Sequence, residues 1–129
     1  MKGFVDNIES LTVENSDFRR VIYTGKEMQL VLMTLRPGEE IGEEVHPDRD
    51  QFFRVEQGEV LIDGARSRIE SETAIVVPSG ARHHVKNTGR EPLKLYTIYA
   101  LPEHADGVLQ RTRADAERSH EHFDGRTTE

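Results

Sequence analysis

The chain has no cysteine among its 129 residues, and no tryptophan. Without cysteine, disulfide bonds and thiolate metal sites are excluded, so any bound metal must take nitrogen and oxygen ligands. No segment approaches the roughly 20 consecutive apolar residues that a membrane-spanning helix needs. The first residues lack the apolar run of a secretory signal peptide. These absences predict a cytoplasmic protein with no membrane partner.

Basic residues are also scarce: 17 Lys and Arg stand against 24 Asp and Glu, for a net charge of −7. Nucleic-acid binding needs a basic surface, so we expect no nucleic-acid partner. Neither Ser71 nor Ser79 lies in the glycine pattern of a nucleophile elbow. No glycine-rich phosphate loop followed by Lys-Ser or Lys-Thr is present either. The length suffices for a single core.

Turn-forming residues recur at short intervals, and the runs between them are rich in β-branched and aromatic residues. Such runs favour short strands, and many short strands are typical of a sandwich or barrel. Strands are predicted near Arg19–Tyr23, Met28–Leu35, Glu43–His46, Phe52–Glu56, Val60–Ile62, Ala65–Ile69, Ala74–Val77, His83–Lys86 and Leu93–Tyr99.

The chain divides into a barrel over residues 18–101, an N-terminal segment over 1–17 and a polar tail over 102–129. A helix is predicted near Phe4–Ser10. The tail is too polar to bury enough surface to order itself. Its one predicted helix, Arg113–His120, is expected to pack on the barrel or on a partner subunit.

Thr112 and Asp115 have the spacing of a capping box at the start of the tail helix.

Side-chain alternation along the predicted strands defines an inward face. If His83 points inward, Val85 and Asn87 do too, while His84 and Lys86 point outward.

The same alternation puts Glu44 on the face of His46. After the following turn, it puts Phe53 and Val55 on the face of Gln51. Two histidine-bearing hairpins about 35 residues apart in a short β-rich chain suggest one metal inside a small barrel.

Two groups of residues resemble the motifs of the cupin family. The first comprises Pro37-Gly38, His46 and Gly58-Glu59, and the second comprises Pro78, Gly80, His83 and Asn87. Counted back from Gly58, the family's glutamate position holds Gln51, and its second histidine position falls on Asp48. The resemblance covers roughly residues 25–100 and is that of a small single-domain cupin, similar to cupins linked to mannose-6-phosphate isomerase.

This resemblance implies an all-β fold, the cupin double-stranded β-helix or jelly-roll barrel, with one divalent metal in its mouth. The implied ligands are His46, Gln51 and His83, with Asp48 or Asp50 as a further candidate. Neutral imidazoles suit Fe, Ni, Cu or Zn, whereas an amide oxygen is a weaker, harder donor. The candidate ions are Fe, Mn, Ni, Zn and Cu. Alternatively, Gln51 orients a ligand by hydrogen bonding, and Asp48 simply caps a turn.

We expect a metalloenzyme that acts on a small oxygenated or sugar-like substrate, as an isomerase or a dioxygenase-like enzyme. Glu44 is the candidate catalytic base, and Arg82 and Tyr96 are candidates for substrate binding; the alternative for each is a solvated surface residue. The alternative function is a non-catalytic module that binds or senses a metal or sugar.

Phe52 and the apolar residues Phe4, Val5 and Ile8 have no obvious core to enter. Exposed apolar groups often mark an interface, and two-fold dimers are the commonest closed assembly. The sequence therefore predicts a homodimer in which the N-terminal segment packs onto the neighbouring subunit.

Overall fold

The computed structural model describes residues 2–62 and 67–129, with the backbone alone described for residues 60–62 and 67–69. Within these ranges the helices are α1 (Ile8–Glu14) and α2 (Arg113–Arg118). The strands are β1 (Arg19–Thr24), β2 (Gln29–Leu35), β3 (Glu40–Val45), β4 (Asp50–Gln57), β5 (Val60–Ile62), β6 (Ser67–Ile69), β7 (Thr73–Val77), β8 (Arg82–Asn87), β9 (Leu93–Ala100) and β10 (Leu109–Gln110). The strand predicted near Ala65–Ile69 overlaps β6, and its first residues lie outside the described ranges.

The strands form two antiparallel sheets that face each other across one core. The larger sheet has the order β10-β1-β2-β9-β4-β7 and the smaller has the order β3-β8-β5-β6. Strands distant in sequence are neighbours in both sheets, as in the pairing of β2 with β9 and of β3 with β8. The predicted all-β jelly-roll barrel is confirmed.

The core lies between the sheets and is built by alternation. On β4, Gln51, Phe53 and Val55 are buried whereas the residues between them are partly exposed. The same pattern buries His83 and Val85 on β8. Each large apolar side chain buried in this way contributes roughly 1.5–3 kcal/mol of transfer free energy. The buried apolar residues of this core cluster are Phe18, Val21, Val31, Met33, Leu35, Phe53, Val55, Val77, Val85, Leu93, Leu95 and Tyr99.

Helix α1 packs on the larger sheet of its own chain, against β2, β4 and β9. Its start differs from the predicted Phe4–Ser10 because Asn7 is the N-cap, with a side chain that accepts a hydrogen bond from Ser10 N. After the helix, the buried Asn15 donates to the Thr34 hydroxyl at 3.1 Å. These contacts hold α1 on its own chain, and the contact of the N-terminal segment with a partner subunit stays a prediction.

Residues 102–129 also lie against the barrel, which corrects the expectation of a tail unable to order itself. β10 pairs with β1, with Arg19 opposite Gln110. Further along, the Thr128 hydroxyl accepts a hydrogen bond from Thr24 N at 2.7 Å. These contacts are polar, so the polar composition of the segment does not prevent it from docking.

The capping box predicted from Thr112 and Asp115 is present at the start of α2. Among the described residues, neither helix is long and apolar enough to cross a membrane.

Candidate metal centre

Three side chains meet at one end of the barrel interior: Glu44, His46 and His83. One ligand atom from each lies within 4.8 Å of the others. Glu44 on β3 is the direct cross-strand partner of His83 on β8. His46 follows Glu44 by two residues and therefore shares its face.

A β-bulge on β3 sets which residues face this point. The register with β8 shifts between Glu40 and Gly42, so Ile41 is an extra residue on β3. Gly42 has a φ of 103°, a backbone conformation that glycine adopts easily. Ile41 packs against the apolar core, and yet Glu44, three residues later, belongs to the cluster. Strict alternation would have put Glu43 on the face of Ile41 instead.

The imidazole of His46 is buried without the hydrogen bonds that burial usually requires. Its Nε2 atom lies 3.0 Å from Glu44 Oε2 but makes no hydrogen bond of acceptable geometry within the described chain. The His46 and His83 rings lie 5.4 Å apart between centroids. The Nδ1 atom of His83 lies 3.4 Å from the Ala81 carbonyl oxygen.

Gln51 carries a second buried atom of this kind. Its Nε2 donates to the Thr97 hydroxyl at 3.0 Å, whereas its Oε1 is buried with no hydrogen-bond partner in the described chain. Gln51 is opposite Tyr99 in the sheet, and the Tyr99 ring contacts His46 edge-on at 5.8 Å. The amide therefore lies on the inward face that carries the cluster.

The contact between Glu44 and His46 shifts the pKa of each side chain toward its charged form. Burial acts to raise the pKa of Glu44, but the imidazole of His46, with further help from His83 and Arg19, outweighs it and lowers that pKa. The Glu44 carboxylate raises the pKa of His46 against the opposing effect of burial. A divalent cation can replace the protons on a carboxylate and imidazoles that lie this close together.

A second carboxylate approaches His46 from the C-terminal segment. Glu103 Oε2 lies 3.8 Å from His46 Nδ1, and Glu103 Oε1 accepts a hydrogen bond from Arg49 Nη1 at 2.9 Å. The same guanidinium binds Asp48, with Nε 2.9 Å from Oδ1.

Beyond Tyr99 runs a chain of buried hydrogen bonds. His104 Nε2 lies 3.3 Å from the Tyr99 hydroxyl and His104 Nδ1 lies 2.6 Å from Glu121 Oε1. The other Glu121 oxygen accepts from Ala105 N at 2.7 Å. Burial raises the pKa of the Tyr99 phenol well above its usual range. Tyr99 thus stays protonated and can donate to His104.

The structure brings together Glu44, His46 and His83 from the residues predicted for the site, and places Gln51 on the same face. Asp48 does not join them, because its side chain is 59% exposed and bound to Arg49. The partner of His46 in the cluster is thus Glu44, two residues toward the N-terminus, and not Asp48. Glu44, predicted as a catalytic base, lies within the group of metal-ligand atoms.

The two predicted substrate-binding residues point elsewhere. Arg82 is 68% exposed and pairs with Glu43 at 2.6 Å. Tyr96 alternates with the buried Thr97 and Tyr99 on β9 and contacts Phe52 on the outer face at 6.1 Å. Their placement gives no support to a role in substrate binding at this cluster.

Sequence reasoning missed Glu103, His104 and Glu121, because a polar stretch carries no periodic signal that predicts burial.

The donor set fits a divalent metal ion. It combines imidazole nitrogens with carboxylate and amide oxygens, and two of the buried donor atoms, His46 Nε2 and Gln51 Oε1, have no hydrogen-bond partner in the described chain. Burial of Gln51 Oε1 without a partner costs roughly 1–3 kcal/mol, whereas His46 Nε2 has the Glu44 carboxylate at 3.0 Å. A jelly-roll barrel with these donors at one end of its interior defines a class of small barrel proteins with a candidate metal site.

Comparison with known proteins agrees with this class. Residues 31–99 match the family model described as "Cupin domain", and the chain belongs to the cupin family. It is 46% identical over 123 residues to the protein YrkC of Bacillus subtilis (strain 168), covering 89% of this chain and 66% of that protein.

Solved structures show the same fold. The crystal structure of BH2720 from Bacillus halodurans is 42% identical with a TM-score of 0.85, covering 92% of this chain and 96% of that chain. The sugar phosphate isomerase SPO2919 from Silicibacter pomeroyi is 19% identical with a TM-score of 0.56, covering 68% of this chain and 63% of that one. This second likeness shows the fold alone, so the resemblance to sugar-isomerase cupins is weak.

Proposed function

We propose that this cupin binds one divalent transition metal through Glu44, His46 and His83, with the amide oxygen of Gln51 as a fourth ligand. We further propose that it is a metalloenzyme for a small oxygenated or sugar-like substrate, as an isomerase or a dioxygenase-like enzyme. The observation that carries the proposal is the convergence of three ligand atoms within 4.8 Å inside the barrel.

The donor set suits Fe, Mn, Ni, Zn or Cu rather than Mg or Ca, because imidazole nitrogens contribute to it. Such a metal, when bound, would polarise a carbonyl group or lower the pKa of a water molecule. Glu44 is the single carboxylate among the proposed ligands, so the site would keep a net positive charge. A site of this charge favours an anionic, oxygen-rich ligand.

The residues around the cluster would orient that ligand. Phe53 and Val85 are fully buried beside it and exclude water from one side. Tyr99, backed by His104, provides a fixed hydroxyl at the inner end. Because Glu44 would serve as a ligand, the acid–base group of an isomerase has to be another residue.

The same observation supports the second candidate, a module that binds or senses a metal or sugar without turnover. A carboxylate used as a ligand is not free to act as a base. Turnover of oxygenated substrates by the metal-loaded protein separates the two candidates: a binding module would hold the substrate and return it unchanged.

Metal content tests the shared part of both candidates. The protein, produced without a histidine tag, should contain about one transition-metal ion per chain by elemental analysis. His83→Ala should lose it, because one of two imidazole ligands is removed. His84→Ala is the matched control: His84 is the next residue on β8, points outward and lies 3.4 Å from Glu40.

Equal metal content in His83→Ala, His84→Ala and the unmodified protein would contradict the proposed site. Circular dichroism should confirm that both variants keep the barrel fold.

We also propose a cytoplasmic homodimer with no nucleic-acid partner. The support is the net charge of −7 and Val76, which is 68% exposed on β7 at an edge of the larger sheet. A mass from light scattering at micromolar concentration would establish the assembly.

A further inference from the structure

The C-terminal segment passes over the metal centre just after the residues that match the family model, 31–99. Glu103 lies in this segment, and its Oε2 is 3.8 Å from His46 Nδ1. The other ring nitrogen, Nε2, is the one that faces Glu44 at 3.0 Å. The imidazole is therefore placed between a carboxylate in the cluster and a carboxylate outside it.

Glu103 is held where it is by contacts that a mobile tail would lack. Arg49 Nη1 donates to its Oε1 at 2.9 Å, which directs Oε2 toward His46. The fully buried Gln29 holds its backbone, because Gln29 Oε1 accepts from Glu103 N at 3.2 Å and from His104 N at 2.9 Å. The amide nitrogen of Gln29 donates to the His104 carbonyl at 2.7 Å. Gln29 on β2 thus binds both the N–H groups of residues 103 and 104 and the carbonyl group of His104.

We propose that Glu103 is a positioning residue for the metal: its carboxylate orients the His46 ring so that Nε2 points at the cation, and strengthens that nitrogen as a donor. A histidine that binds a metal usually presents its other ring nitrogen to a carboxylate or carbonyl, and loss of that partner weakens metal binding by roughly 10–100-fold. The inference rests on the proposed metal site and goes beyond it, since it makes metal affinity depend on a residue outside the region matched to the family.

The test uses Co²⁺ as the probe, titrated into the full-length, metal-free protein. Glu103→Gln keeps the size and removes the charge. It should weaken Co²⁺ binding by about 10-fold and shift the visible absorption of the bound ion, while the metal-free protein keeps its melting temperature. Asp48→Asn is the matched control, because it removes the other carboxylate bound to Arg49. This control should leave the affinity unchanged.

Glu103→Asp separates an electrostatic role from a purely structural one. It keeps the charge but shortens the side chain, so it should bind Co²⁺ more tightly than Glu103→Gln does. If the role were only to fill space, the shorter aspartate would be at least as damaging as the isosteric glutamine.

The proposal is overturned if Glu103→Gln binds Co²⁺ as tightly as the unmodified protein, or if Asp48→Asn weakens binding equally. Failure of the unmodified protein to bind Co²⁺, Zn²⁺ or Ni²⁺ would instead overturn the proposed metal site itself. The two failures are therefore distinguishable.

Discussion

Two buried histidines of this barrel have opposite surroundings. His46 and His104 are 9% and 8% exposed. Both ring nitrogens of His104 have partners, with Nδ1 2.6 Å from Glu121 and Nε2 3.3 Å from Tyr99. His46 Nε2 makes no hydrogen bond in the described chain, although a carboxylate oxygen is 3.0 Å away.

This difference in hydrogen bonding indicates that His104 stabilises the fold, whereas His46 is placed to bind a ligand. Buried polar atoms are normally satisfied, because an unmade hydrogen bond costs roughly 1–3 kcal/mol. His104 meets this rule and fastens the C-terminal segment to the barrel. His46 Nε2 instead faces the Glu44 carboxylate at 3.0 Å without a well-aligned hydrogen bond, beside His83, where a cation would bind all three side chains.

The largest expected effect is that one of two alanine variants loses metal binding and the other loses stability. His46→Ala should weaken Zn²⁺ binding by at least about 100-fold, because a ligand is lost, and should destabilise the metal-free protein by only about 1 kcal/mol. His104→Ala should retain Zn²⁺ binding but destabilise the protein by about 2–4 kcal/mol, because it leaves Tyr99 and Glu121 unpaired and opens a cavity. Urea unfolding and calorimetric titration measure the two quantities.

Similar stability losses in both variants, or a loss of Zn²⁺ binding in both, would remove the distinction between the two histidines.

An intermediate effect is expected at the second unpaired buried atom. Gln51→Glu replaces an amide oxygen by a charged one of nearly the same size. If Gln51 is a ligand, divalent metal binding should tighten by about 10-fold, since opposite charges at this range interact by a few kcal/mol before desolvation. The metal-free variant should be less stable, because a second carboxylate would be buried near Glu44. Unchanged affinity would place the amide outside the set of ligands.

Alternation along two strands made part of this site predictable. His83 and Val85 on β8, and Gln51 and Phe53 on β4, face inward as the period of two requires. Glu44 also shares the face of His46, as expected. What alternation could not show is that Glu44, and not Asp48, pairs with His46 in the cluster. Glu44 and Asp48 each lie two residues from His46. They differ because the side chain of Asp48, in the turn that follows, binds Arg49.

The C-terminal segment was not predictable for a different reason. β10 is two residues long and pairs with β1, about 90 residues earlier, so no local sequence pattern predicts this strand. Glu103 and His104 are fixed by a glutamine on β2, a contact that only the closed barrel creates. Polar composition predicts disorder when apolar burial is the only stabilising term considered.

The smallest expected effect is the pH dependence of the stability that the contact between Glu121 and His104 provides. Burial acts to raise the pKa of Glu121, but the His104 ring and the Ala105 amide outweigh it and lower that pKa below its usual value of 4.5. A carboxylate with a lowered pKa stabilises the folded state above its unfolded pKa, and this stability is lost as the pH falls through the folded pKa. At pH 6, the free energy of unfolding of the metal-free protein should therefore be about 1–2 kcal/mol higher than that of Glu121→Gln.

That difference should shrink as the pH falls through the lowered pKa of Glu121. A difference that is constant with pH would mean that the carboxylate acts through its shape and not through its charge.

The bulge on β3 has a consequence for how such a site can arise or vanish within a lineage. Ile41 packs against the core and Glu44 against the metal ligands, and these two orientations are compatible only because one extra residue interrupts the alternation. Strict alternation over the same residues, with no bulge, would turn Glu43 and Val45 inward and His46 outward. Deletion of Gly42 would instead remove the extra residue and leave Ile41, Glu44 and His46 on one face. Loss of the bulge without loss of a residue would separate the apolar core from Glu44 and His46, so relatives of nearly identical fold can differ in whether they hold a metal at all.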